Sequence, residues 1–178
     1  SLVAGVFVAA NWPGAAPSQT YRTAGGEVRD IALGDGTRSK LNGASSLSVQ
    51  LARNARRVQM ADAEASFDVA HDPARPFLIQ VGDRQLRVVG TEFDLRRREG
   101  KIMLTVRRGL VEVRPAGAAG TPAVRVAPGQ QFTHVEATGA SQLSAVDAGD
   151  AFAWTEGRLV CRDQPLSDIA AELSLRFA

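Results

Sequence analysis

Short runs of alternating hydrophobic and polar residues fill most of the chain between residues 27 and 135. Runs with clear alternation include residues 47–51, 77–81 and 102–106. Successive side chains of a strand point to opposite faces, so this alternation predicts strands with one buried face. Many short strands at close spacing favour a β-sandwich, barrel or solenoid over an α/β enzyme core. We therefore predict a mainly β domain, either an antiparallel β-sandwich or a short β-solenoid-like domain, because both produce the same alternation.

Turn residues separate the predicted strands. Gly36, Gly90 and Gly109 stand at strand ends, where we expect backbone conformations that a Cβ would resist. Pro76 fixes its own φ and favours an extended Arg75, so the loop enters the next strand in a set direction. Phenylalanines at the hydrophobic positions are predicted to be core rings: Phe67, Phe77 and Phe93. We therefore interpret these residues as structural rather than as a ligand site.

The N-terminal residues differ from the alternating block. Residues 2–10 are apolar, about half of the ~20 residues needed to cross a bilayer, and the neighbouring Trp12 suits a membrane interface. We interpret residues 1–19 as a linker or the remnant of a membrane segment, with residues 15–19 as the linker. An ordinary first strand or a frayed terminus is the alternative. At the other end of the block, the last strand is predicted near Phe132.

The hydrophobic period changes towards the C-terminus. Residues 143–154 show no single period, and Leu159 with Val160 predicts one more strand. From residue 165 onwards the apolar residues fall at helical spacing and predict an amphipathic helix: Leu166, Ile169, Ala170, Leu173 and Phe177. The sequence stops directly after this helix. We therefore expect residues 141–178 to be an incomplete strand–helix unit, either truncated or completed by another molecule.

Length and charge set broad limits. A chain of 178 residues is long enough for one domain, with or without a small appendage. The net charge of +2 is too small to create a strong field, and although nucleic-acid binding usually needs a concentrated basic face, this charge balance is not diagnostic. Arginines cluster at Arg53, Arg56 and Arg57 and at residues 96–98, but neighbours on a strand point to opposite faces. We therefore expect solvated or salt-bridged arginines and no nucleic-acid partner.

Groups suited to catalysis are sparse. Glu64 and Asp68 would lie about 13 Å apart on a strand, whereas the carboxyl groups of glycosidases lie about 5–9.5 Å apart. His71, in a proline-flanked loop, is expected to be solvated, and His134 to be a half-buried strand residue. The single cysteine, Cys161, excludes an internal disulfide and is interpreted as a small strand residue. The sequence therefore predicts a protein that is not an enzyme, with no bound metal and no cofactor.

Short motifs follow one another in a fixed order from about residue 20 to residue 177. They are Gly26-Glu27, Leu33-Gly34-Asp35-Gly36-Thr37, Leu41-Asn42, Ala63-Glu64-Ala65, Arg75-Pro76-Phe77, Gly90-Thr91, Gly109 with Val111, Pro128-Gly129-Gln130, Ala153-Trp154 and Pro165-Leu166. In order and spacing this set resembles the periplasmic part of the FecR family, which comprises transmembrane anti-sigma regulators. The sequence departs from the family pattern at Ala63, where glycine is usual, and at Met60, where leucine is common. Both residues keep the small or apolar character of the position.

The resemblance implies a domain organisation and a signalling circuit. Residues 20–140 would form a FecR-like all-β domain, and residues 141–178 would begin a small STN-like α/β piece. FecR-type regulators bind the N-terminal signalling domain of a TonB-dependent outer-membrane receptor and control an ECF-type sigma factor in metal, siderophore or nutrient uptake. The sigma factor would bind an N-terminal cytoplasmic region that lies outside this sequence. A single inner-membrane anchor in the full-length protein would place the all-β domain and the C-terminal piece in the periplasm.

The incomplete C-terminal unit is the predicted partner-binding region, where contact would be made by strand addition or helix packing. The residues predicted to contact the partner are Trp154, Leu159, Val160, Leu166, Ile169 and Leu173. The alternative function is an envelope carbohydrate-binding β module without a sigma-factor partner. Sugar-binding grooves are lined by exposed tryptophan and tyrosine, and Trp12, Tyr21 and Trp154 are scattered along this sequence.

Overall fold

A computed structural model describes residues 16–160 and 166–177. Within these residues the chain forms fourteen strands. The strands, in chain order, are β1 Ser18–Arg22, β2 Arg29–Ala32, β3 Arg38–Leu41, β4 Ser46–Leu51, β5 Arg56–Met60, β6 Ala63–Asp68, β7 Phe77–Val81, β8 Arg84–Val88, β9 Glu92–Arg98, β10 Lys101–Arg108, β11 Val111–Pro115, β12 Val124–Val126, β13 Gln130–Val135 and β14 Ala140–Ala145. The prediction of a mainly β chain is confirmed.

The strands form two seven-stranded sheets in the described part of the chain. The first sheet has the order β1-β4-β5-β7-β8-β11-β12, and the second has the order β2-β3-β6-β9-β10-β13-β14. Neighbouring strands are antiparallel, except for β5 and β7, which are parallel. In both sheets the order rises with the sequence, so the chain winds back and forth between the sheets as it advances. The result is a sandwich built by progressive winding, and the described strands do not close into a barrel.

A single hydrophobic core lies between the two sheets. Phe67 in β6 stacks on Phe93 in β9, with ring centroids 5.2 Å apart. Phe67 also meets Phe77 of the other sheet edge to face, at 6.0 Å. All three rings are buried, at 1% exposure or less. The prediction that these phenylalanines are core rings is confirmed, because alternation along each strand brings them to the inner face.

The motif glycines meet different constraints. Gly36 and Gly109 have φ of +87° and +84°, a left-handed conformation that favours glycine. Gly90 has no such φ; instead, a Cβ there would lie 2.7 Å from His71 Nδ1 and 2.9 Å from His71 Cα. The expectation about backbone conformation is therefore confirmed for Gly36 and Gly109. At Gly90 the expectation about backbone conformation is wrong, because a side chain is excluded by close packing against His71 and not by the φ angle.

Two polar edge strands differ from the sequence prediction. β1 begins at Ser18, inside the segment predicted as a linker, and pairs with β4. β14 follows the strand at Phe132, which was predicted to be the last, and pairs with β13 over six residues. Both strands are exposed along most of their length. Neither carries hydrophobic alternation, because backbone hydrogen bonds rather than a buried face attach them to their sheets.

The C-terminal residues form short helices. α1 comprises Ala148–Phe152, a 3₁₀ turn follows at Ala153–Glu156, and α2 comprises Leu166–Phe177. The predicted helix is confirmed, but Leu159 and Val160 have no regular structure, so the strand predicted there is wrong in the described residues. Cys161 lies outside the described residues. The predicted boundary at residue 140 coincides with the start of β14 and stays a prediction. None of the described helices is long and apolar enough to cross a membrane.

Candidate functional site

A buried arginine connects two of the motif turns of the sandwich. Arg56, the first residue of β5, has a side chain with 0% exposure. Its guanidinium donates to Asp35 Oδ2 at 2.9 Å and to the carbonyl of Ala70 at 2.8 Å. Its Nε donates to the carbonyl of Arg75, also at 2.8 Å. The Gly34-Asp35-Gly36 turn and the Arg75-Pro76-Phe77 turn are therefore held by one side chain, which supports a structural role for both motifs.

The carboxylate of Asp35 is fully hydrogen-bonded. It accepts from the backbone N–H of Thr37 at 3.1 Å and from the Thr37 hydroxyl at 2.8 Å, in addition to Arg56. Burial by itself would raise the pKa of Asp35, but the hydrogen bonds from Arg56 and Thr37 outweigh it and hold the pKa below its usual value. Asp35 is therefore an ionised structural group, since a general acid at neutral pH needs a raised pKa.

The arginine clusters are salt-bridged or hydrogen-bonded, as predicted. Arg97 bonds both oxygens of Glu136, at 2.9 and 3.0 Å, and also pairs with Asp62. The hydrogen bonds from Arg97 lower the pKa of Glu136. Arg98 donates to the carbonyls of two loop residues at 2.8 and 2.9 Å. Arg56 is also paired, but it is buried, which the alternation of neighbouring arginines did not indicate.

The two carboxylates considered for catalysis have separate partners. Glu64 is buried and accepts from the Asn42 amide at 2.6 Å. Asp68 is exposed and pairs with Arg108 at 2.7 Å. In residues 16–160 and 166–177, no three His, Cys, Asp or Glu side chains are grouped so that they could hold a metal ion. Both carboxylates are thus explained by contacts that stabilise the sandwich.

His134 is fully buried, so the expectation of a half-buried residue is wrong. Its Nδ1 lies 2.8 Å from Ser141 Oγ, and its Nε2 lies 3.1 Å from Asp83 Oδ1, which resembles the triad of serine hydrolases but with the two ring nitrogens exchanged. Arg84 Nη2, however, lies 3.2 Å from the same Nδ1. A guanidinium can only donate, so Nδ1 accepts from Arg84 and is not free to act as a base for Ser141. His134 therefore ties β8, β13 and β14 together. The exposed position of His71 is as predicted.

The segment after β14 is anchored to the second sheet. Asp147 caps α1 by accepting from the Gly149 N–H at 2.8 Å. Trp154 is buried, at 4% exposure, and its indole N–H donates to Asp94 Oδ1 in β9 at 2.9 Å. The Arg107 guanidinium lies 3.8 Å from the ring centroid of Phe152. Trp154, predicted as a partner contact, is thus part of the protein interior in this structure.

The remaining predicted contacts follow the anchored segment. Leu159 and Val160 are half-buried. On α2, Leu166 is 84% exposed and Leu173 is 39% exposed, while Ile169 is half-buried. Positions 166, 169 and 173 lie on one side of a helix because they are three and seven residues apart. The leucines of α2 therefore share a partly open apolar face, whereas Trp154 is buried.

Comparison with known proteins gives one family. A family model described as "FecR protein" matches residues 19–112. Two crystal structures of a "putative anti-sigma factor" from Parabacteroides distasonis ATCC 8503 share the fold, each with a TM-score of 0.81 and 24% sequence identity. The matches cover 90% of this chain and 75% of that one in the first structure, and 89% and 74% in the second. None of the curated proteins compared matches the sequence.

Proposed function

Because the chain belongs to the FecR family, we propose that it is the periplasmic signal-relay part of a membrane-anchored anti-sigma regulator. Its upstream partner is the N-terminal signalling domain of a TonB-dependent outer-membrane receptor. Its output is the activity of an ECF-type sigma factor, reached through an inner-membrane anchor and a cytoplasmic region outside this sequence. The circuit controls uptake of a metal, a siderophore or another nutrient.

The observation that carries this proposal is the open apolar face of α2 on a chain of this family. Leu166 exposes 84% of its surface to water. Fully burying an exposed leucine side chain contributes about 1.5–3 kcal/mol, of which Leu166 offers most and Leu173, 39% exposed, less than half. An amphipathic helix whose anchors are three and seven residues apart is a common form of recognition motif. The sandwich would then serve as the rigid support for this helix.

The contacts of Trp154 attach the segment before α2 to the sandwich, and through this attachment a partner bound at α2 would affect the sandwich. The α1 segment and the 3₁₀ turn hold the chain to β9 and β10 through Trp154 and Phe152. The residues after Gly157 lead from this anchor to α2. We therefore assign Leu166, Ile169 and Leu173 to the contact surface, with Leu159 and Val160 beside it, and Trp154 to its attachment. A carbohydrate module gains no support from Trp154, because its indole is buried.

The test is a calorimetric titration with the signalling domain of the TonB-dependent receptor encoded nearest to this protein. We expect binding by the chain, and at least tenfold weaker binding by Leu166→Asp/Leu173→Asp. Ser174→Asp is the control for placing an aspartate on the exposed part of the same helix, and it adds one charge where the test variant adds two; the Ser174 hydroxyl bonds only the Ala170 carbonyl in the described residues. Deletion of residues 155–178 should abolish binding. Equal affinity of the leucine variant and the chain would contradict the proposal.

A further inference from the structure

The outer face of the first sheet carries a row of arginines drawn from different strands. Glu112 of β11 pairs in register with Arg87 of β8 on one side and with Arg125 of β12 on the other. Arg114 lies two residues further along β11, on the same face. We call Arg87, Glu112, Arg114 and Arg125 the basic row. These residues come from three strands, of which β8 lies far from β11 and β12 along the chain, and the strand register brings them together.

The basic row has an excess of positive charge. Glu112 is its one carboxylate, and its oxygens lie 3.7 Å from Arg87, 3.5 Å from Arg114 and 3.8 Å from Arg125. Charge-assisted N–H···O bonds are normally about 2.7–2.9 Å long, so all three contacts are loose. The arginine side chains are also accessible, with exposures of 44%, 32% and 72% in the same order.

The donors of these arginines are incompletely used. Each guanidinium has five N–H donors in a planar fork that fits a carboxylate. Arg114 Nε is buried and has no hydrogen-bond partner in the described part of the chain. Because this atom is buried, a ligand on the surface does not reach it, and the donors open to a ligand are other N–H groups of the three guanidiniums. Their contacts with Glu112 are all 3.5 Å or longer, so the basic row has both net charge and N–H groups available to further carboxylates.

The surface beside the basic row is rich in amides. Gln59, Gln80 and Gln85 are joined in register across β5, β7 and β8, and Gln85 pairs with Arg114. Leu78 of β7 is half-buried and lies directly opposite Arg87 across the antiparallel pair of β7 and β8. Arginines next to amide groups and an occasional apolar side chain are typical of a polar protein–protein interface.

We propose that this outer face of the first sheet binds an acidic segment of a protein partner. Aspartate or glutamate carboxylates of the partner lie between the guanidiniums of Arg87, Arg114 and Arg125, as Glu112 already does from within the chain. Single-stranded nucleic acid would need exposed rings for base stacking, and the core phenylalanines of this sandwich are buried. Binding to a membrane surface commonly uses an apolar helix face beside the charged residues, whereas the basic row lies on a sheet. The site is separate from α2 and does not depend on the proposed function.

A binding assay with a labelled poly-glutamate peptide tests this inference on the whole chain. We expect measurable binding at low salt that weakens as salt increases. Arg87→Gln/Arg125→Gln should weaken binding at least tenfold. The control is Arg38→Gln/Arg53→Gln, which removes the same charge from exposed arginines off this face and should bind as the original chain does. Both changes affect exposed side chains, and unchanged thermal unfolding shows that the fold is intact.

Three results would overturn the inference. The first is absence of binding to the poly-glutamate peptide. The second is an equal loss of binding in both double variants, which would show that net charge alone attracts the peptide. The third is tighter binding to phosphatidylglycerol vesicles or to single-stranded DNA than to the peptide, which would assign the basic row to another class of partner.

Discussion

Arg56 and Asp35 form an ion pair of 2.9 Å in the interior of the sandwich, with side-chain exposures of 0% and 1%. The pair connects the start of β5 to the turn before β3. Arg56 also donates to the carbonyls of Ala70 and Arg75 in the loop between β6 and β7, so this loop and the turn before β3 both depend on one guanidinium. Transferring two charges from water into the interior is unfavourable, so such a pair contributes little net stability to the fold. Removing one partner alone is strongly destabilising, because the other charge is then buried without a partner.

Substitution of Arg56 by methionine is expected to destabilise the fold. The change leaves the Asp35 carboxylate and two backbone carbonyls in the interior without their donor, which typically costs about 3–5 kcal/mol. Urea unfolding followed by circular dichroism measures the loss. Arg53→Met is the control, because Arg53 is exposed in the loop before β5 and should change the free energy of unfolding by less than about 0.5 kcal/mol. Similar values for the two variants would contradict the structural role of Arg56.

The stability of the protein should decrease in acid through Asp35. Its pKa in the folded state is below the ordinary value of 3.8, so the unfolded chain takes up the proton first as the pH falls. Stability from this group is therefore present above pH 3.8 and is lost progressively below it. Urea unfolding at a series of pH values should show a shallower acid dependence for Asp35→Asn. Asp72 and Glu136, whose pKa values are also lowered, contribute equally to both proteins. Parallel curves would show that Asp35 has no part in the acid dependence.

Two glycine substitutions should have opposite consequences. A Cβ at Gly90 would lie 2.9 Å from the backbone Cα of His71, so Gly90→Ala must displace a loop and is expected to cost about 1–3 kcal/mol. A Cβ at Gly120 meets nothing within 4 Å, and Gly120 has no left-handed φ. Gly120→Ala should therefore be neutral or stabilising by up to about 1 kcal/mol. Thermal unfolding of both variants decides the point, and a stable Gly90→Ala would refute the packing argument.

The anchor of the C-terminal segment can be tested at Trp154. Trp154→Phe keeps a ring but removes the indole donor from the buried Asp94, which is expected to cost about 1–3 kcal/mol. Tyr21→Phe is the comparison, because its hydroxyl bonds an exposed glutamine and should contribute little. Near-ultraviolet circular dichroism and urea unfolding of the two variants provide the measurement. If Trp154→Phe unfolds at the same urea concentration as the original chain, the indole bond does not hold the segment.

The fold class, the core phenylalanines and the α2 helix could be predicted from the amino-acid sequence. The reason is that hydrophobic alternation reports a local property, since a strand or helix must turn its apolar side chains towards one face. Turn positions such as Gly36 and Gly109 could be predicted for the same reason, because a left-handed φ at one position favours glycine at that position. The order of the motifs was sufficient to indicate the family, which the match over residues 19–112 supports.

The choice of which distant residues become neighbours could be read from the folded structure and not from local patterns. β1 and β14 carry no hydrophobic alternation, because pairing with β4 and β13 through the backbone defines them. The burial of Arg56 depends on the turn before β3 and the loop between β6 and β7, which converge on it from different parts of the chain. The basic row arises because strand register sets Arg87 and Arg125 on either side of Glu112. Alternation fixes the face on which a side chain lies, whereas its partners across the sheet depend on contacts between strands far apart in sequence.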